Sequence, residues 1–437
     1  MIKSTLSTLV VAAAALLLTG CRTGPFASHP QLFNVVAYGA VDSTNVSSTA
    51  AFRRAIADCQ NAGGGIVEIP AGHYLVGPID MVNNMTLQID NGAVMYFETN
   101  RDDYPDVVSR WEGLTESGPH PLIFADGLHH IAITGRGTFD GQGAAWWATM
   151  DMAEHGNARP DRPIRRRPMF VQIKDCTDAR IDGPTFLNAP FWNIHLLYSR
   201  HVEVANCKII APANSPNTDA LNTDSCSDVL VHDCFADVGD DGFGIKSGRD
   251  EEGRKMNRPA ENITYLRCHV RHGHSVCAIG SEESGGVRDV HFIDCTGDGT
   301  DNGIRLKSMR GRGGVVEDIT ASRLVLNNVS NAIVLTSSYV QTKPEPLSER
   351  TPLFRNITID HLAARGATHC CLIDGLEEQP IQNISISYSY LAGTNGITCD
   401  YARDITFKNV RIITQNNAFM QDHTENVQQE NVKFGPK

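Results

Sequence analysis

The sequence predicts an all-β chain wound into a right-handed parallel β-helix, a solenoid of stacked coils, with a short N-terminal helical cap. Three observations predict it. Two short strand patterns recur along the chain, their spacings match step for step, and cysteine returns about once per coil.

The first strand pattern begins at Asp178, His201, Asp228, Asn262, Asp289, Asp318, Asn356, Asn383 and Asp404. Segments such as Val202-Glu203-Val204 and Ile357-Thr358-Ile359 alternate apolar and polar residues between turn residues, which is a strand signal. From Asp228 the steps are 34, 27, 29 and 38 residues. The second pattern begins at Asp219, Asp241, Ser275, Asn302, Asn331 and His369, and after a first step of 22 it repeats 34, 27, 29 and 38. Both strands therefore belong to one coil of variable length, and the long coils carry insertions.

In the second strand the third and fifth positions are mostly apolar, from Leu221 and Phe243 to Ile245 and Leu335, and are expected to point inward. In the first five of these strands the seventh is serine: Ser225, Ser247, Ser281, Ser308 and Ser337. The expectation is an internal serine ladder, hydrogen-bonded along the solenoid, with no nucleophile in it. Cys176, Cys207, Cys234, Cys268 and Cys295 fit one core position visited once per repeat. Residues Asn34 to Pro78 precede the regular coils, whose body is expected from about Met81. Within that segment Ala50 to Ala62 has helical spacing, with Phe52, Ile56 and Cys59 apolar, and stops at Gly63-Gly64-Gly65. That helix suits a cap over the open end of the solenoid.

Composition agrees. Over 437 residues, 41% are hydrophobic, 20% charged and only 7% aromatic, with 38 Gly and 20 Pro, which favours a turn-rich soluble chain over a helical bundle or a polytopic membrane protein. A formal charge of −12 disfavours nucleic acid as a partner.

At the start of the chain, Lys3 precedes an apolar run from Leu9 to Leu18, too short to span a bilayer and suited to a secretory signal. The run ends in Leu18-Thr19-Gly20-Cys21, which resembles the lipobox of bacterial lipoproteins. The resemblance implies a signal peptide over residues 1–20, a lipidated Cys21 and an exported lipoprotein of the periplasm or outer membrane, held by acyl chains. Residues 21–437 are then one β-helix domain, since no linker marks a second. The 12 cysteines, less Cys21, leave 11, and an odd number argues against a fully paired disulfide framework.

The chemistry sits on consecutive coils. Asp219 and Asp241 hold the same phase in neighbouring coils, so their backbones should lie about 4.8 Å apart. Asp240 comes one residue earlier, and His274 holds that earlier phase in the next coil. One coil further, Arg305 and Lys307 occupy the outward fourth and sixth positions. The expectation is one exposed strip with three carboxylates, an imidazole and two cations. Paired carboxylates suit acid–base hydrolysis of an acetal, one protonated to assist the leaving oxygen and one ionised to activate water. Crowding raises the pKa of at least one of them. Arg305 and Lys307 suit the carboxylate of a uronic acid. The basic loop Arg162, Arg165, Arg166 and Arg167 suits attraction of a polyanionic glycan.

Asn217-Thr218-Asp219, Gly239-Asp240-Asp241, Gly273-His274-Ser275 and Arg305-Leu306-Lys307 resemble the four ordered signatures of glycoside hydrolase family 28, the polygalacturonases. The likeness extends to Gly135–Gly143 and to Phe191-Trp192-Asn193-Ile194-His195. It implies a parallel β-helix enzyme that cleaves α-1,4-galacturonosyl linkages of an anionic pectic glycan, inverts at the anomeric carbon, and needs no cofactor or metal. It implies Asp240 as general acid, Asp219 and Asp241 as the pair that activates water, His274 as a support of the acid, and Arg305, Lys307, Tyr339, Asn217 and Lys246 as substrate contacts. Two residues depart from the pattern: Ser275 stands where a glycine is usual and could crowd the histidine, and Leu306 replaces an isoleucine. The run Lys246-Ser247-Gly248-Arg249-Asp250 and the loop after it resemble bacterial exo-acting members. Alternatives are a rhamnogalacturonan-directed hydrolase, a pectate-lyase-like eliminase using Ca²⁺ on the clustered acids, and a glycan-binding solenoid without catalysis.

Overall fold

The computed structural model describes residues 30–148, 166–339 and 350–435. The signal segment, Cys21 and, of the basic loop, Arg162 and Arg165 lie outside them. The described residues form a β-helix of stacked coils, with 36 strands joined in one continuous parallel network. A typical coil runs through Leu221–Asp224, Ser227–His232 and Phe235–Asp237, and each strand pairs in parallel with its counterpart one coil on: Phe243–Lys246, Ala260–Leu266 and His269–Val270. The stacking begins earlier than the repeats suggest. Leu32–Asn34 pairs with Gly65–Ile69, which pairs with Met85–Ile89, so the segment before Met81 already contributes coils. Its steps are too irregular to share the later period.

The recurring Asp, Asn and His at the start of the first pattern have a backbone reason. All nine, from Asp178 to Asp404, are left-handed, with φ of 51–57°. Each coil turns a corner there, and Asn and Asp tolerate that conformation because their short side chains bond locally. The corners also bond to one another: Asn262 Nδ2 donates to Asp228 Oδ1 at 2.5 Å, and Asn383 Nδ2 to Asn356 Oδ1 at 2.7 Å.

The core is the inside of the tube. Leu221, Phe243, Cys277, Ile304 and Ile333 are at most 1% exposed. All eleven described cysteines are buried and free. The five recurrent ones each donate to the carbonyl two residues back, at 3.1 to 3.6 Å, but they do not share one position: the thiols of Cys207, Cys234, Cys268 and Cys295 touch in succession along the axis, whereas Cys176 stands at another corner, in register with Ser199 and Cys226. The serines are buried as expected but form no ladder. Ser225 Oγ accepts from Arg110, Ser308 Oγ donates to Glu283, and Ser247 Oγ and Ser337 Oγ have no protein partner. A hydroxyl reach is short against the spacing of coils, so these serines bond sideways instead.

The helix Thr49–Asn61 buries Ala51, Phe52, Ala55, Ile56 and Cys59 against the first strands and closes the N-terminal end. Two insertions leave the tube on the cleft side. One is an antiparallel hairpin, Asp106–Trp111 paired with Leu114–Pro119, separate from the large sheet. The other carries the short helix Asp250–Met256 inside one of the 34-residue steps.

Candidate active site

Asp219 and Asp241 precede the paired strands Leu221–Asp224 and Phe243–Lys246, and Ala220 N donates to Asp241 O at 2.9 Å, so the two acids stack on adjacent coils of one sheet. His274 N donates to Asp240 O at 2.9 Å, which stacks the next pair in the same way. Arg305 and Lys307 follow one coil on, opposite Ala278 and Gly280. One acidic oxygen from each of Asp219, Asp240 and Asp241 lies within 4.8 Å of the others.

The site is not the single exposed strip that the spacing suggests. It has two levels: the three acids sit just ahead of their strands, one of them at the cleft surface and two covered by other side chains. Asp240 and His274 look outward, with 18% and 47% of their side chains exposed. Asp219 and Asp241 are 3% and 1% exposed. Buried carboxylates need partners. Asn222 Nδ2 donates to Asp219 Oδ2 at 3.0 Å, and Lys246 Nζ stands 3.9 Å from the same oxygen. Lys307 Nζ donates to Asp241 Oδ2 at 2.8 Å. Lys307, only 6% exposed, is thus held by Asp241 and does not face outward as a free cation for substrate. Its long stem lets the ammonium curl back to the nearest buried charge.

Lys246 is likewise enclosed. Its ammonium donates to Glu282 Oε2 at 3.1 Å and lies 4.8 Å from the centre of the Trp192 ring. Arg305 is more open and lies 5.1 Å from the Tyr339 ring centre, with Lys307 at 5.5 Å. Asn217 Oδ1 accepts from Arg167 Nη2 at 2.8 Å, so this amide anchors a buried arginine beneath the cleft. Ser275 is fully buried, next to the half-exposed His274.

Electrostatics separate the acids. Burial, then the neighbouring Asp240, pushes the Asp219 carboxyl well above its ordinary value, against the pull of Lys246. Burial opposes the charge on Asp241 too, but Lys307, Lys246 and Arg305 outweigh it and hold that carboxyl well below the usual range. The hydrogen bond from His274 Nδ1 to Asp240 Oδ1, at 3.0 Å, raises the imidazole to about 9, so it is cationic at neutral pH. Glu282, despite its burial, is held at about 2 by Lys246 and Arg312. The three acids could together grip a cation, but Lys246 and Lys307 already supply positive charge beside two of them.

Sequence reasoning missed Glu282 and Asn222, which hold Lys246 and Asp219. The signals were there: Asn222 lies three residues past Asp219, and Glu282 follows the seventh-position Ser281. It also missed Arg110. From the hairpin, Arg110 Nη1 donates to Asp224 Oδ1 at 2.6 Å, and both side chains are wholly buried. His195 Nε2 lies 3.4 Å from the other oxygen of Asp224, which extends this network beneath the acids.

Comparison with known proteins places the arrangement. The family model described as "Glycosyl hydrolases family 28" matches residues 59–403. A relative from Vitis vinifera, "Probable polygalacturonase", is 30% identical over 81% of this chain and 73% of its own length. The exopolygalacturonase structure from Thermotoga maritima is 27% identical, covers 90% of this chain and 93% of its own, and superposes with a TM-score of 0.73. The family 28 exopolygalacturonase of Yersinia enterocolitica shares the fold with a TM-score of 0.81 at 21% identity, over 92% of this chain and 79% of its own. Of the readings the sequence leaves open, these matches support hydrolysis over elimination or binding alone, and the chain belongs to glycosyl hydrolase family 28 as a glycoside hydrolase.

Proposed function

We propose that the protein hydrolyses α-1,4-galacturonosyl linkages of a pectic polygalacturonan by acid–base catalysis with inversion, acting from a chain end. The observation that carries this reading is the two-level carboxylate cluster. Asp240 is the one acid that faces the cleft, so it is the one able to reach a glycosidic oxygen and protonate it. Asp219 and Asp241 lie beneath it, and Asp241 Oδ1 is buried with no protein donor. A water seated between these two acids satisfies that oxygen and loses its proton to the pair as it attacks. Burial and Asp240 push the Asp219 carboxyl up, and the proposed mechanism needs it ionised once substrate is bound, with the proton on Asp240 for the leaving group.

The close spacing of the acids also suits a retaining pair, whose carboxyls are about 5–5.5 Å apart. A nucleophilic carboxylate must itself touch the anomeric carbon, however, and at 3% and 1% exposure Asp219 and Asp241 admit a water more readily than a sugar ring. That favours inversion. Arg305, beside Tyr339, offers the open cation for a uronate carboxylate. Exo-action is supported by the two insertions that crowd one side of the acids and by the likeness to an exopolygalacturonase.

The deciding experiment incubates the enzyme with polygalacturonan and follows the first-formed anomer by NMR while products are sized. Monomer or dimer with the β-configured reducing end supports the reading. The α-anomer means retention, an unsaturated product means elimination, and a ladder of oligomers means endo-action. We propose also that Cys21 is the acylated first residue of the mature chain, as its Leu-Thr-Gly-Cys box suggests. Metabolic labelling with a radioactive fatty acid should mark the protein and be lost in Cys21→Ser.

A further inference from the structure

Between Trp111 and Leu114 the hairpin turns in two residues, Glu112 and Gly113, both with positive φ, at 42° and 84°. This is the geometry of a tight hairpin turn whose first position favours Asn, Asp or Gly. Glutamate there is disfavoured, yet the turn is over-determined by what surrounds it. On one side Trp111 stacks at 4.1 Å on Phe191, which stacks at 5.3 Å on Trp192, the ring beside Lys246 Nζ. On the other, Gly113 O accepts from Arg249 N at 2.9 Å, and a Cβ at Gly113 would come within 2.8 Å of Glu282 Cγ. Behind the tip, Thr115 donates twice to Glu252 Oε1, at 2.8 and 2.6 Å, and Arg110 is bound to Asp224.

The tip is thus pinned from both flanks to the residues around Lys246, and Lys246 is 3.9 Å from Asp219 Oδ2. Glu112 itself is half-buried. The charged groups that face it are Glu282, Arg249, Lys246 and Arg167, and enclosure followed by Glu282 raises its carboxyl above the ordinary value. The wall runs from Phe191, on a coil before the acids, to Glu282, on the coil after Asp241. Arg305 and Tyr339 lie on later coils, so the cleft continues on the opposite side.

We infer that Glu112 is the residue that reads the end of the sugar chain, accepting hydrogen bonds from the free hydroxyls of the non-reducing terminal residue. This rests on the exo-acting hydrolase reading above. In a 1,4-linked chain the 4-hydroxyl is free only at that end, because every interior one is glycosylated. A carboxylate accepts from a vicinal pair of hydroxyls, and the same carboxylate repels the uronate of any residue that would extend past it. The wall therefore admits an end and rejects a middle.

The test compares two oligogalacturonides of equal length, one with an ordinary non-reducing end and one with a 4-deoxy-4,5-unsaturated end, which lacks the hydroxyl. Wild type should prefer the ordinary end in kcat/KM by about tenfold or more. Glu112→Ala and Glu112→Gln should both lower kcat/KM on the ordinary substrate and bring the two substrates level. Thermal melting of each variant checks that the fold is kept, and Gln guards against loss of packing. A preference that survives in both variants overturns the assignment while leaving exo-action intact. A wild type that releases internal oligomers and treats both ends alike overturns the exo reading itself.

Discussion

Replacing Lys246 by methionine should move the acid limb of the activity profile toward higher pH. Methionine keeps most of the stem's volume against Trp192 and removes the charge. Lys246 Nζ lies 3.9 Å from Asp219 Oδ2 and 3.1 Å from Glu282 Oε2, and all three side chains are nearly buried. At that first distance and an effective dielectric near 20, the attraction is about 4 kcal/mol. Lost in full, it corresponds to about 3 pH units on the proton affinity of Asp219. The sign follows from the role proposed: Asp219 must be ionised to take a proton from water, so a higher affinity demands a higher pH. The same substitution takes from buried Glu282 its hydrogen-bonded cation and leaves it Arg312, and breaking a buried pair typically costs up to about 3–5 kcal/mol of stability. The double variant Lys246→Met/Glu282→Gln separates the effects, since it should recover the melting temperature and keep the displaced limb. The assay is kcat/KM for an oligogalacturonide across pH, with melting curves in the same buffers. An acid limb unmoved in both variants refutes the electrostatic coupling of Lys246 to the acids.

Asp240→Asn should cost at least about 10²–10⁴ in kcat, with part of the rate recovered on a substrate carrying an activated leaving group; Asp219→Asn should show no such recovery. Arg305→Met should raise KM for a uronide about tenfold over its reduced, neutral counterpart, whereas Lys307→Met should lower kcat on both, because Lys307 is held by Asp241. Arg110→Met should destabilise the fold by about 3–5 kcal/mol by orphaning Asp224. Burial opposes the charge on Asp224, but Arg110 and His195 hold its carboxyl at about 2, so the pair's stability is present above the ordinary carboxylate range and fades as pH falls through about 2. The variant's stability should accordingly lose most of that acid dependence, as measured by denaturant titration at several pH values.

The tube was legible because it repeats. The left-handed corners demand Asn, Asp or a few tolerant residues at a fixed phase, and the inward positions demand apolar ones, so the steps from Asp228 and Asp219 carry the register in the letters themselves. The same register brings Asp219, Asp240, Asp241 and His274 together. What it could not carry were events that happen once. The hairpin 106–119 has no period, and Arg110 meets Asp224 from 114 residues away. The depth of Asp219 and Asp241 comes from the long side chains of Lys246 and Lys307 that close over them, which backbone phase does not state. Lys307 sits at an outward position, but its partner is decided at the ammonium, four carbons from the backbone. The serines show the converse: a repeat over five successive strands, yet hydroxyls that find different partners, because backbone phase does not dictate where a rotatable group bonds.

The file of thiols along the axis gives this molecule a built-in record of its own unravelling. Cys176, Cys207, Cys234, Cys268 and Cys295 occupy successive coils, and each is sealed until its coil opens. A solenoid coil touches only its neighbours, so partial unwinding leaves some coils closed while others are open. A brief pulse of alkylating reagent, read by mass, therefore adds a known number of tags for each opened coil: one where Cys176, Cys207 or Cys268 stands alone, two where Cys226 accompanies Cys234 or Cys277 accompanies Cys295. The order in which the tags arrive states from which end, and in how large a unit, the tube comes apart.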